Sequence, residues 1–493
     1  MRKIITRLDF FKGLFKSKAV LFTANRFLSF ILQLIVTTFI AVKLGPYYLG
    51  IWGIIKLLLR YLRYLNFGTA LASSVLISSI NSTSTEEYKK IIFNSFLINL
   101  SVGLLLILIS VIVLSLNISF PGKFVFLDKM ILLIAFVAIS NHISKLFMDI
   151  SRCFGNLGPI MLHQILLQLL LIPLLFIFSG NALIYALLYV TSGTHILSTI
   201  IYFVRLPFKI KINTSKRLIK KIFIKGINLL VFEMSLRFIM ISASTIVSLY
   251  YTLEIVGYYT FSENIAEATL LGTQAIIYIF MPKVIQKIKG IETLQGKYEL
   301  IKSLRYIHNH GMALVIFTVI VSFPVFLLFL KGFEINKIFT LLIIGFFFQS
   351  QQFGYLHLIM TYNREKYMSR ATVIAVLINL GLCSLLTYVF KLDYIWLGFP
   401  TMFSMFINSY YAIYLGRKIL KKECSFRIIF NDLIPQKFFW PILIFMLGVF
   451  TDYQNILSIL AYAVFLLLNY KVLIEIIIKS KSIVQNNKNY KLI

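Results

Sequence analysis

Fourteen apolar runs, most of them twenty or more residues long, follow one another along this chain, and this pattern leaves little choice of fold. Crossing the roughly 30 Å hydrocarbon core of a bilayer takes about 20 helical residues, and a helix satisfies every backbone group within itself. The runs fall at about 19–42, 49–77, 91–116, 125–147, 159–178, 182–204, 226–250, 256–281, 308–330, 338–360, 371–390, 394–415, 438–450 and 456–474. The thirteenth is short and reads as one arm of a hairpin with the fourteenth. Of the 493 residues, 59% are hydrophobic and 14% charged, too few polar residues to give a soluble body of this size its outer layer. The pattern predicts an all-α polytopic membrane protein of about 14 transmembrane helices.

Sidedness follows from the basic residues. With the N-terminus in the cytoplasm, the inner segments hold 37 Lys and Arg and the outer segments six: Lys43, Lys123, Lys129, Lys331, Lys337 and Lys391. Cytoplasmic loops carry such an excess, so both termini are expected in the cytoplasm. The same rule accounts for the net charge of +31 without nucleic acid. The first run is long and lacks a small-residue cleavage site, so it is expected to remain as a span. Each expected outer loop is short (44–48, 117–123, 179–181, 251–255, 331–336, 391–393 and 451–455), which leaves no room for a catalytic domain outside. The longest inner segments, 205–225 and 282–307, read as basic amphipathic connectors lying on anionic lipid headgroups. Function is therefore expected among the helices.

Leu49-Gly50-Ile51-Trp52 opens the second run and Val256-Gly257-Tyr258-Tyr259 the eighth, an offset of 207 residues between Gly50 and Gly257. Both follow a run directed outward, so the offset predicts two six-helix lobes related by a parallel repeat, with substrate between them. The expected organisation is an N-terminal lobe at 1–204, a basic linker at 205–225, a C-terminal lobe at 226–416, and a helix pair with a basic tail at 417–493.

Charges inside the runs point to the site. Lys56, Arg60 and Arg63 lie within about 60° of one another on a helix of about 100° per residue, and the run 49–77 holds no Asp or Glu. Three such cations would cost about 8–10 kcal/mol in dry hydrocarbon, so they are expected to face water or an anion. Arg26 sits nearer the cytoplasmic end of the first run. In the C-terminal half, Glu233 and Arg237 stand one turn apart, as do Glu263 and Glu267; these are read as a structural pair or as ion-coupling carboxylates. Gln164 and Gln168, and Gln349 and Gln352 near His357, are candidate glycan-facing amides, with helix packing as the alternative. The six histidines are read as structural. Three scattered cysteines, no Walker or GxGxxG motif and no Cys/His cluster give no expectation of a cofactor, a metal or an enzyme.

Asn25-Arg26-Phe27-Leu28-Ser29-Phe30, Leu44-Gly45-Pro46-Tyr47-Tyr48-Leu49-Gly50-Ile51-Trp52, Asn66-Phe67-Gly68 and Val256-Gly257-Tyr258-Tyr259 occur in this order. Together they resemble the Wzx-type flippases of O-antigen and other polysaccharide repeat units, in the multidrug/oligosaccharidyl-lipid/polysaccharide (MOP) exporter superfamily. The resemblance implies alternating access in a bacterial inner membrane. Its substrate would be an undecaprenyl-pyrophosphate-linked oligosaccharide moved from the cytoplasmic to the periplasmic leaflet, with its anionic part on Arg26, Lys56, Arg60 and Arg63. It also implies a polysaccharide polymerase and a chain-length regulator as candidate partners. Members of that family commonly carry Asp where this chain has Asn66. The competing readings are a multidrug exporter of the same superfamily, a lipid II type flippase, and an O-antigen polymerase, which the short outer loops disfavour.

Overall fold

The computed structural model describes residues 18–78, 85–208, 210, 212–328 and 335–485. The basic segment 1–17, Lys331 and the basic residues of 486–493, which contribute to the charge count, lie outside the described residues. Among the described residues all regular structure is helical. Among these residues eight helices are each long and apolar enough to cross a membrane, or nine with the pair Phe426–Leu433 and Gln436–Val449, which bends by 71°. The chain is a multi-pass membrane protein.

It divides into two compact units, the first of Met1–Arg237 with Tyr251–Thr260, the second of Phe238–Tyr250 with Phe261–Ile493. In the first unit, α1 (Lys18–Arg63) carries the first run and the opening of the second, redirected at Gly45 (φ 64°, ψ 173°) just before Pro46. α2 (Thr69–Ser78), α3 (Thr85–Ser115), α4 (Leu127–Cys153), α5 (Gly158–Ile177) and α6 (Gly180–Val204) complete the bundle. The second run was expected as one helix; it is interrupted at 64–68, where Phe67 and Gly68 both take positive φ. Buried Asn66 accepts the Gly68 N–H at 2.9 Å, which replaces a bond the helix ladder no longer supplies. Polar pairs fasten the neighbouring helices: Ser73 to Ser95 at 2.6 Å, and Asn99 to Thr69 at 2.7 Å.

The segment 205–225 is not all loop: α7 (Lys216–Tyr250) starts within it. Asn94 of α3 grips the turn before α7, donating to the Asn213 carbonyl at 2.9 Å and accepting from the Ser215 N–H at 3.0 Å. The 282–307 connector is corrected as well. α8 (Leu253–Gly290) runs to Gly290 and α9 (Leu294–Leu327) starts at Leu294, so the basic residues ride on extensions of the spans. Charged side chains at these helix ends can sit beyond the hydrocarbon, and α9 at 34 residues is about 51 Å long, well over the core thickness.

In the second unit, α10 (Asn336–Ser350) and α11 (Tyr355–Thr361) take up the tenth run, broken between them where Gly354 has φ 82°. α12 (Glu365–Tyr388), α13 (Gly398–Ile419), α14 (Phe426–Leu433), α15 (Gln436–Val449) and α16 (Gln454–Gln485) follow. Phe317 of α9 packs against Phe347 (5.6 Å between centroids), Phe445 (5.1 Å) and Phe465 (5.0 Å), so α15 and α16 share an aromatic core with α9 and α10. At the basic end Asp432 of α14 accepts from Arg417 at 2.7 Å and from the Tyr355 hydroxyl at 2.8 Å, with Arg305 Nη1 at 3.4 Å. Arg305 is also fixed by the Asp432 carbonyl at 2.6 Å. Hydrogen bonding and charge from Asp432 hold the Arg417 guanidinium above its ordinary range against the opposing effect of burial.

The two glycines that open the second and eighth runs meet within the first unit. A Cβ at Gly50 would lie 1.9 Å from the Leu253 carbonyl oxygen, and one at Gly257 would lie 2.1 Å from the Pro46 carbonyl oxygen. Each glycine thus abuts the carbonyl four residues ahead of the other. A Cβ at Gly53 would meet the Thr260 hydroxyl at 2.2 Å, again at the 207-residue offset. The contact is locally two-fold, and it depends on helices that lack side chains where they cross. Gly50→Ala should lower the melting temperature in nanodiscs, consistent with an overpacking cost of about 1–3 kcal/mol. Gly193→Ala, at a helical position with nothing within 4 Å of the new Cβ, should leave melting unchanged or raise it.

Candidate functional site

The cationic ladder stands in the first unit. Lys56 and Arg60 are half-buried and Arg63 is exposed, so the row opens progressively toward the end of α1. Lys56 lies ten residues past Pro46, about 15 Å down the helix, which is close to mid-membrane if Pro46 marks the outer boundary.

Arg26 is brought to a residue predicted separately. The Gln164 side-chain oxygen accepts from Arg26 Nε and Nη2, each at 3.1 Å. The neighbouring Asn25 donates to the Met161 carbonyl at 3.3 Å. Arg26 also lies 5.3 Å from the Phe22 ring centroid. This places Gln164 as a positioning group for a cation, while Gln168, one turn on, is half-buried.

Histidines read as structural take part in this region. His142 of α4 bonds the Leu62 carbonyl at 3.0 Å, at the end of α1 beside Arg63. His195 stands 5.4 Å from His163 ring to ring, and His163 hydrogen-bonds Ser198. The signal was present in the sequence as His195, Ser198 and Tyr202, which occupy one stripe of α6 at helical spacing.

The other candidates fall in different surroundings. Arg237 is exposed, and the side chain of Glu233 lies outside the described residues. Glu263 is 3% exposed and accepts from the Ser244 hydroxyl at 3.1 Å; Glu267 is half-buried. Gln349 is half-buried, whereas Gln352, at the break between α10 and α11, is buried within the second unit beside Gln351.

No protein-family model and no curated protein matches the chain. Solved structures do. A multidrug resistance MATE family transporter of the MOP superfamily, in an inward-facing conformation, aligns with a TM-score of 0.65 at 14% identity, over 82% of this chain and 98% of its own. The lipid II flippase MurJ, inward closed, gives 0.64 at 18% identity, over 92% of this chain and all of its own. A MOP superfamily transporter from Pyrococcus furiosus, described as having a binding pocket of reverse polarity, gives 0.55 at 14% identity, over 83% and 98%.

The Arg26–Gln164 contact generates a prediction of its own. Gln164→Leu should lower stability by about 1–3 kcal/mol, the cost of depriving a part-buried guanidinium of its acceptor. Gln164→Glu should restore it, and melting of the two variants side by side checks the ordering. From this geometry and these alignments, the chain has the fold shared by transporters of the MOP superfamily.

Proposed function

We propose that this chain is a flippase that carries undecaprenyl-pyrophosphate-linked oligosaccharide repeat units from the cytoplasmic to the periplasmic leaflet of a bacterial inner membrane. The observation that carries the reading is the row Lys56, Arg60 and Arg63 with Arg26 in the same unit. A pyrophosphate carries several negative oxygens, and clustered guanidinium and ammonium groups are suited to hold it. The row runs from an exposed end toward the middle of the helix, so an anion entering from the basic side of the membrane meets successive cations. The glycan would cross in water while the polyprenyl tail remains in lipid. Alternating access of two six-helix lobes, 1–204 and 226–416, joined through the basic segment 205–225, would move it. Both termini would then face the cytoplasm, with anionic lipids against the basic helix ends and a polymerase and chain-length regulator as candidate partners of the exported unit. No bond is made or broken in such a cycle.

The MurJ alignment favours one second reading, in which the cargo is a peptidoglycan precursor on the same lipid carrier. It uses the same cations on the same pyrophosphate and differs in the sugar.

Replacing Lys56, Arg60 and Arg63 together by Gln should abolish export while the protein still inserts in the membrane. Lipid extracts from that strain should accumulate one complete oligosaccharide unit on undecaprenyl pyrophosphate, protected from reagents added outside. Normal export by the triple variant would remove the reading.

Glu263, buried beside Ser244, is the proposed ion-coupling carboxylate of the second unit together with Glu267. Transport by Glu263→Gln/Glu267→Gln should lose its response to an imposed proton gradient. An undiminished response in vesicles would return both residues to a packing role.

A further inference from the structure

A second glycine crossing, within the first unit, holds the far end of the run that Gly50 opens. A Cβ at Gly68 would come 2.2 Å from the Gly226 carbonyl oxygen, and one at Gly226 would come 2.3 Å from the Phe67 carbonyl oxygen. Gly226 follows Lys216, Arg217, Lys220, Lys221 and Lys225 in α7, so this crossing marks the basic face. The Phe67 and Phe223 rings close over it with 5.0 Å between centroids. The crossing of Gly50 with Gly257 marks the opposite face. There Lys123, in the turn before α4, donates to the Tyr251 carbonyl just ahead of α8.

Each crossing adjoins a break in the chain that it holds. Gly45 takes φ 64° and ψ 173° immediately before Pro46, whose carbonyl faces Gly257. Phe67 and Gly68 take φ 50° and 66°, and their backbone faces Gly226. A residue such as Phe67 holds a left-handed φ only at a cost, and strained residues of this kind collect at switch regions. Between the breaks the chain from Pro46 to Asn66 is helical, ending in a tighter turn at Tyr64–Asn66. At about 1.5 Å per residue this rod is about 30 Å long, which matches the hydrocarbon core. It bears Lys56, Arg60 and Arg63 and has a hinge at each end. The helices it crosses leave the first unit farther on, α7 after Arg237 and α8 after Thr260. A glycine against a carbonyl is a packing contact, favourable only while the fit is close.

We propose that the rod from Pro46 to Asn66 is a rocking gate. Parting of Gly68 from Gly226 opens the basic face, parting of Gly50 from Gly257 opens the other, and the structure holds both shut. The second crossing is the firmer one, reinforced by Gly53 against Thr260 and by the Lys123 bond to Tyr251, so the basic face opens first. The proposal rests on the flippase reading for what passes the gate and not for the motion.

The experiment is double electron–electron resonance on the full chain in nanodiscs, with Cys153, Cys383 and Cys424 replaced by Ala and spin labels attached in pairs. Leu65→Cys/Ile224→Cys reads the basic face and Tyr47→Cys/Glu254→Cys the other, all four at exposed positions. The first pair should show a short and a long distance. Gly226→Ala should raise the ratio of long to short about tenfold, because the added methyl disfavours the seated contact alone. It should leave the second pair short. Gly257→Ala should do the converse, and Gly193→Ala should move neither pair. A single distance at the basic face, unmoved by Gly226→Ala, would overturn the proposal. A second test needs no wedge. Phe67→Cys/Phe223→Cys, bridged by a bifunctional methanethiosulfonate, should stop export until the bridge is reduced, because a contact that must part cannot be tied. A contact that only supports the fold tolerates the tie, so undiminished export by the bridged chain would also overturn the proposal. The two readings can fail separately. Normal export by the Lys56/Arg60/Arg63 variant removes the flippase reading and leaves the distances untouched, whereas fixed distances in the glycine variants remove the gate alone.

Discussion

Lipid offers helices no hydrophobic reason to associate, so helix contacts inside a membrane must be made by close packing and polar fastening. The first unit meets this constraint at the crossing of α1 and α8. The backbones approach so closely that Gly50 and Gly257 each leave no room for a methyl group beside a carbonyl oxygen of the other helix. This contact fixes the rotation of α1 about its axis after Pro46. With the rotation set, Lys56, Arg60 and Arg63 have a defined direction, and the gradient from half-buried to exposed follows from it. Elsewhere the polar fastenings Ser73–Ser95 and Asn99–Thr69 do the same work between α2 and α3.

Much of the architecture was legible because lipid imposes a simple rule on sequence. Apolar length locates helices without any tertiary information, and among the described residues the predicted runs fall mainly on helical segments. The 207-residue offset between Gly50 and Gly257 was visible as a weak repeat; its physical basis is a reciprocal backbone contact that only coordinates reveal. The interruptions at Phe67–Gly68 and at Gly354 were not legible. A glycine in an apolar run is compatible with a continuous helix, and whether it takes positive φ depends on what the neighbouring side chains supply, as Asn66 does for the Gly68 N–H. The connector 282–307 was misjudged because charge density was taken as the end of a helix, when a long helix simply carries its basic residues out of the hydrocarbon.

The site divides in the same way. The ladder on α1 follows from helical spacing within one segment. The union of Arg26 with Gln164, 138 positions apart in sequence, requires knowing that α1 packs on α5. Histidines carry an ambiguous signal, because a buried imidazole can serve as packing or as a polar contact. His142 does both: it is buried within the first unit and bonds the Leu62 carbonyl of α1, one residue before Arg63.

Asp432 is shared by Arg305 and Arg417, two guanidinium groups that are each less than a tenth exposed. A single carboxylate thereby balances two positive charges drawn from α9 and α13, and α14 delivers it immediately before the bend into α15. The last two helices are joined to the second unit by an apolar aromatic core along their length and by an ionic contact at one end. These two kinds of attachment respond oppositely to their surroundings. Water entering at the basic end would screen the ionic contact and leave the aromatic core intact.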